Sequence, residues 1–100
     1  MPEIHIGAHS LTATTVTPLS EDEWRVAHRA VRTGHEDHLF FRVGDQVYDA
    51  TFDRATKLNR AIHEAIAAGG LSLAYGGQAA EFLMAEDVES ASLIHKPAQP

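Results

Sequence analysis

Apolar and polar positions along the chain alternate between stretches with the period of a strand and stretches with the period of a helix. Residues 11–17 are dense in β-branched Thr and Val. Those types suit a pleated surface, and Pro18 cannot extend a ladder, so the first strand is expected there. Thr on both faces leaves its register open. Ser20 precedes Glu23 by three positions, and with Leu19 and Trp24 on either side this is a capping box with a hydrophobic staple. The helix it begins is expected to run to about Thr33. Trp24, Ala27, His28 and Val31 form its buried stripe, and Gly34 is its left-handed stop. Glu21, Asp22 and Glu23 sit at its positive end and Arg29 and Arg32 near its negative end, which follows the helix dipole. Arg25, Arg29 and Arg32 read as a solvated face, with Glu21 and Arg25 an i,i+4 pair, and the alternative is contact with an anion or an acidic partner.

Two β-rich runs within residues 39–52 are separated by Gly44-Asp45, and glycine first in a two-residue loop suits a type II′ hairpin turn. That turn pairs Val43 with Gln46, Phe41 with Tyr48 and Leu39 with Ala50 on an apolar face. The other face holds His38, Phe40, Arg42, Val47, Asp49 and Thr51. Phe40 stands opposite Asp49 there, so His38 and Arg42 lie diagonal to the Asp49 carboxylate. Asp53 is expected to cap a second helix, with Ala55, Leu58, Ile62, Ala65 and Ile66 at helical spacing until Gly69-Gly70. Lys57, Arg60, His63 and Glu64 occupy its wet side. Leu71-Ser72-Leu73-Ala74-Tyr75 alternates as a strand and stops at Gly76-Gly77. Residues 78–85 read as strand or short helix, with strand favoured. Residues 91–95 read as a closing strand after the acidic turn Glu86-Asp87. The order strand, helix, strand, strand, helix, strand is similar to the split βαβ, ferredoxin-like arrangement. The resemblance implies an α+β two-layer sandwich, an antiparallel sheet with both helices on one face, extended by C-terminal β structure. That fold hosts many activities and sets none.

A chain of 100 residues has room for one core. Residues 1–96 are expected to form it, with 97–100 a frayed tail. Hydrophobic types at 44% and charged types at 22% are ordinary globular composition. Lys and Arg number 8 against 14 Asp and Glu, a net charge of −6, which argues against nucleic acid as a partner, because phosphate contacts need clustered cations. The first residues lack the features of a secretory signal and no long apolar run is present, so no membrane segment is expected. With no cysteine, a disulfide framework, a thiolate zinc site and a cysteine nucleophile are excluded, and the cytoplasm is the expected compartment. No cofactor is implied. So short a chain leaves apolar surface that a second copy could cover, and a homodimer is compatible with it.

Seven histidines are the compositional oddity. His35-Glu36-Asp37-His38 gathers metal-competent side chains, with His35 and His38 as the candidate ligands. The spacing departs from the helical zinc-protease pattern, and a polar loop is the simpler reading. His5 and His9 would share a face, but no third ligand is near. His28 reads as a core histidine, and His63 and His95 as surface residues. On the hairpin, Asp49 could orient His38 as a general acid or base while Arg42 holds an anionic group, which makes these three the catalytic candidates. A His on one strand and an Asp on the next looks like the His/Asp half of papain-like and transglutaminase-like domains. Those families use an upstream cysteine, which is missing here, and Ser20 is already explained as a helix cap. An ion-paired sheet surface accounts for the same residues. Gly69-Gly70 and Gly76-Gly77 lack the spacing of a phosphate loop and read as turns.

With no complete catalytic motif, a second class of function is favoured: a small acidic module that binds or regulates another protein. Its binding surface is expected at Glu81, Glu86, Asp87 and Glu89, opposed by Lys96. In size and charge it is similar to inhibitors that occupy a partner's cationic site, such as phage-type anti-defence proteins. The alternative is a small enzyme or ligand-binding domain using His38, Arg42 and Asp49.

Overall fold

In the computed structural model, residues 2–30 and 36–83 are described. The chain starts with a tight hairpin, β1 (Glu3–Ile6) and β2 (His9–Thr12), turned by Gly7 at φ +59°. A third strand, β3 (Thr15–Leu19), leads into helix α1 (Glu21–Ala30). The long hairpin β4 (Glu36–Val43) and β5 (Gln46–Asp53) follows, then helix α2 (Leu58–Ala67) and a final hairpin, β6 (Leu73–Tyr75) and β7 (Gln78–Phe82). The strands form one sheet in the order β2-β1-β6-β7-β4-β5-β3. Every neighbouring pair is antiparallel.

The expected ferredoxin-like sandwich is not what forms. The sheet curls into a half-barrel, and the two helices are short and lie on opposite faces of it. One apolar face runs unbroken through the register. Ile4 pairs with Leu11 and Tyr75, and Ile6 with Leu73, which in turn pairs with Ala80. Phe82 pairs with Phe41, Phe41 with Tyr48, and Leu39 with Ala50, which also faces Val16. The rings of Tyr75 and Tyr48 have centroids 5.6 Å apart, and each is 5.4 Å from the ring of Phe41. In a flat sheet the strands carrying those tyrosines would be about 14 Å apart, so the ring contact reports strong curvature. β7 makes the bend: its first residues pair with β6, while Glu81 and Phe82 pair with β4.

Helix α2 closes the concave side with its buried Leu58, Ala61, Ile62 and Ala65, of which Leu58, Ile62 and Ala65 form one cluster with Ile4, Ile6, Leu39, Phe41 and Phe52. A fully buried aliphatic of this kind contributes roughly 1.5–3 kcal/mol. Helix α1 covers the convex side of β4 and β5, where Trp24 lies 6.1 Å from Phe40. Phe40 and Phe41 point to opposite faces, yet are 1% and 0% exposed. The consecutive apolar run Leu39-Phe40-Phe41 is therefore that of a strand covered on both sides.

Local expectations fared better than topology. The register of β4 and β5 is the one the turn dictated. Gly44, at φ +61°, supplies the positive φ, and Asp45 does not share it, as a type II′ turn requires. The Ser20 backbone N–H donates to Glu23 Oε1 at 2.8 Å, and Glu23 N–H to Ser20 Oγ at 3.1 Å, which completes the capping box. The expected strand over residues 11–17 is instead two strands with different partners, β2 on β1 and β3 on β5. Pro18 does not end β3 but sits inside it, tolerated because β3 is an edge among the described strands. Asp53 does not cap α2: it accepts from the N–H of Ala55 and Thr56 in a local turn, and the helix starts at Leu58 with no side-chain cap. Residues 78–82 are strand. The expected end of α1 near Thr33, the closing strand at 91–95 and the tail at 97–100 lie outside the described residues. Among the described residues no helix is long and apolar enough to cross a membrane.

Candidate functional site

The hairpin register sets His38 opposite Thr51, Phe40 opposite Asp49 and Arg42 opposite Val47 on the convex face. His38 Nδ1 lies 3.0 Å from Asp49 Oδ1, with the two side chains 21% and 17% exposed. The imidazole stacks on Phe40, ring centroids 6.3 Å apart and planes 20° apart. Ring stacking and a partly desolvated carboxylate hold the imidazole in one orientation, which either acid–base chemistry or a register lock would use. Next to it, burial pushes the Asp37 carboxyl above its ordinary 3.8, against the opposing pull of His38 and Arg54.

Arg42 does not join this pair. Its Nη2 lies 3.4 Å from Glu21 Oε1 at the start of α1, and its Nη1 4.0 Å from Glu81 Oε1 on β7. The three expected catalytic residues thus divide into a His–Asp pair and an arginine held by two glutamates. Beside His38, Thr14 Oγ1 donates to the Thr51 carbonyl at 3.0 Å, and the hydroxyls of Thr14 and Thr15 both meet that of Thr51. This threonine cluster ties the β3 edge to β5.

Of the expected acidic surface, Glu81 is exposed, while Glu86, Asp87 and Glu89 lie outside the described residues, as do His35, His95 and Lys96. Glu21, Asp22 and Glu23 on the first turn of α1 are also exposed. Of these, Glu21 together with Glu81 reaches Arg42, a grouping that sequence distance concealed. Among the described residues no group of three or more His, Asp and Glu is placed to hold a metal ion. His5 and His9 do not share a face, because the Gly7-Ala8 turn between them reverses the chain. His5 points outward near Glu3, and His9 points to the concave side. His63, expected at the surface, is half-buried. Its Nε2 and the Asn59 Oδ1 one turn earlier have no hydrogen-bond partner among the described residues.

Sequence reading missed a second site. His9 Nε2 lies 2.8 Å from Glu64 Oε1, and Arg60 Nε donates to Glu64 Oε2 at 2.9 Å. Hydrogen bonds from Arg60 and then His9 hold the Glu64 carboxyl below its ordinary 4.5. This clasp divides a groove between β2 and α2 into two hollows. One, of about 390 Å³, is walled by Gly7, Ala8, Ala65, Ala68 and Gly70. The other, of about 180 Å³, is walled by Leu11, Lys57, Arg60 and Ala61. Compared with protein-family models, with curated proteins and with solved structures, the chain matches none.

Proposed function

We propose that the protein is a small acidic binding module whose convex face meets a cationic surface on another protein. The observation that carries this reading is the convergence of Glu21 and Glu81, from α1 and β7, on the single guanidinium of Arg42. With Asp22 and Glu23 they make an exposed carboxylate cluster on a chain of net charge −6. Lys and Arg side chains of a partner would compete with Arg42 for these carboxylates, and complementary potentials would speed and orient the encounter. An inhibitor that occupies a partner's cationic site would use such a surface. The test is affinity capture with wild-type chain and with the triple variant Glu21→Lys, Asp22→Lys, Glu81→Lys, whose folding is verified by circular dichroism. The variant should lose the captured partner, and wild-type capture should fall as salt rises from about 0.1 M to about 1 M, because screening shortens from about 10 Å to about 3 Å. Capture unaffected by charge reversal would refute the reading.

A second reading rests on the 3.0 Å contact of His38 with Asp49, in which the carboxylate orients an imidazole for proton transfer. Arg42, expected to hold an anionic group beside it, is paired with Glu21 and Glu81 instead. In this reading His38→Ala removes a turnover while the melting temperature hardly moves. A variant that loses stability alone marks the pair as structural.

A further inference from the structure

We propose that the groove between β2 and α2 binds an extended, acidic peptide segment of a partner protein, which adds to β2 as a further strand. This goes beyond the convex-face reading, with the opposite charge and the opposite side of the sheet.

The argument starts with the sheet edge. β2 ends the strand order, and a two-residue turn makes Ile6 and His9 the closing pair of its hairpin. In such a hairpin alternate pairs exchange backbone hydrogen bonds. The bond from the Ala13 N–H to the Pro2 carbonyl at 2.9 Å fixes the phase: Ile4 with Leu11 and Ile6 with His9 bond to each other. The N–H and C=O groups of Ser10 and Thr12 therefore face an edge that no other described strand occupies. They are donors and acceptors at the right spacing for another strand.

What stands beside that edge is not open solvent but a groove. From Lys57 to Ala68, α2 runs alongside for roughly 16 Å, the length of about five extended residues. The His9–Glu64 clasp separates the two hollows, and His9 and Leu11, which line them, are alternate residues of β2. Side chains two apart on an added strand would enter one hollow each. Their chemistry differs. The smaller is bordered by Lys57 and Arg60, and Arg60 is already shared with Glu64. No hydrogen bond or ion pair engages the Lys57 ammonium among the described residues. Lys57, Arg60 and Glu64 leave the groove with a surplus of positive charge on a chain that is otherwise acidic. The larger is floored by Gly7, Ala8, Ala65 and Ala68, which leave space and apolar surface. The segment that fits carries Asp or Glu at one position and a small apolar residue two away.

The test uses the full chain, isotope-labelled, with a synthetic peptide of sequence Thr-Glu-Thr-Val-Thr, acetylated and amidated. Amide shifts should move at Ser10, Thr12 and the exposed flank of α2 on titration to about 1 mM, the weak range for an unoptimised short peptide. Lysine in place of the peptide's glutamate, or Lys57→Glu in the chain, should each weaken binding about five- to tenfold, the size of a reversed exposed charge pair. N-methylation of the peptide amides that face β2 should abolish binding without altering the protein. No shifts at these amides, or equal binding of the glutamate and lysine peptides, would overturn the proposal. So would a dimer by sedimentation in which Ser10 and Thr12 are already protected from hydrogen exchange, because a second copy would then be the occupant. Loss of convex-face capture leaves this test untouched, since none of its variants lies on that face.

Discussion

Replacing Gly7 with alanine separates backbone strain from packing at the place where the first hairpin meets α2. Gly7 has φ +59°, a left-handed conformation that costs a residue with a Cβ roughly 1–2 kcal/mol. An added Cβ would stand 3.1 Å from Ala65 Cβ and 3.6 Å from its Cα, where carbon atoms prefer about 3.5–4.0 Å. Overpacking typically costs about 1–3 kcal/mol, and the lower end applies because Gly7 is in an exposed turn that can shift. Gly7→Ala should therefore destabilise by about 2–3 kcal/mol in total. Ala65→Gly removes the opposing methyl and itself costs about 1 kcal/mol in helix propensity, plus its lost burial. In that background Gly7→Ala should cost only the strain, roughly 1–2 kcal/mol, and the cycle should show about 1 kcal/mol of coupling. Urea unfolding of the four proteins at 25 °C, with unchanged m-values, gives the numbers. Coupling within about 0.3 kcal/mol of zero would show that the hairpin does not dock on Ala65. A neutral Gly7→Ala would show that the turn is not left-handed.

Ser20→Ala should cost about 1 kcal/mol by chemical denaturation, and adding Glu23→Ala should cost less than the sum, because the two side chains cap each other. Phe41→Ala removes the ring that joins Tyr48 to Tyr75 and should cost about 3–5 kcal/mol, close to unfolding a domain of this size. The two shifted carboxyls should respond to pH with opposite signs in thermal melts. Glu64, held below 4.5 in the fold, stabilises above that pH and loses its contribution as pH falls, so Glu64→Gln should lower the midpoint at about pH 7 and hardly at all at about pH 2. Asp37 is raised above 3.8 and opposes folding once pH passes that value, so Asp37→Asn should raise the midpoint at about pH 7 and leave it unchanged at about pH 2.

Features set by neighbours in sequence were legible, and those set by distant strands were not. The capping box at Ser20 and Glu23 and the Gly44-Asp45 register are complete within a few residues, and both formed. The diagonal of His38 and Asp49 followed from that register alone. Asp53 misled because its side chain satisfies a nearby amide, that of Ala55, as well in a turn as at a helix start, and the turn won. At the N-terminus the alternation Glu3-Ile4-His5-Ile6 carried a strand signal. The denser run of Thr and Val after it drew one strand across Ala13 and Thr14, where the chain changes partner. The pairings of β1 with β6 and of β7 with β4 leave no local mark, and they turn a presumed sandwich into a curled sheet. Arg42 shows the same limit at the site. Its register position beside Asp49 was correct, but its partners arrive on α1 and β7, and their two carboxylates outcompete the expected one.

The curl also decides how the two proposed surfaces can be told apart. Both contacts would be electrostatic, so added salt weakens either one and cannot assign a partner to a face. Position can. Glu21 and Glu81 flank Arg42 on the convex side, with Asp22 next to Glu21 on α1, whereas Lys57 and Arg60 lie at the helix that closes the concave side, with the buried apolar layer between them. Charge reversal at one face should leave the other's affinity within about twofold, because solvent screens distant exposed charges. A partner that held both would lose affinity in either variant and more than either loss in the combined variant, since the second contact is made at the effective concentration set by the first. Two independent partners would each respond to one set of substitutions alone.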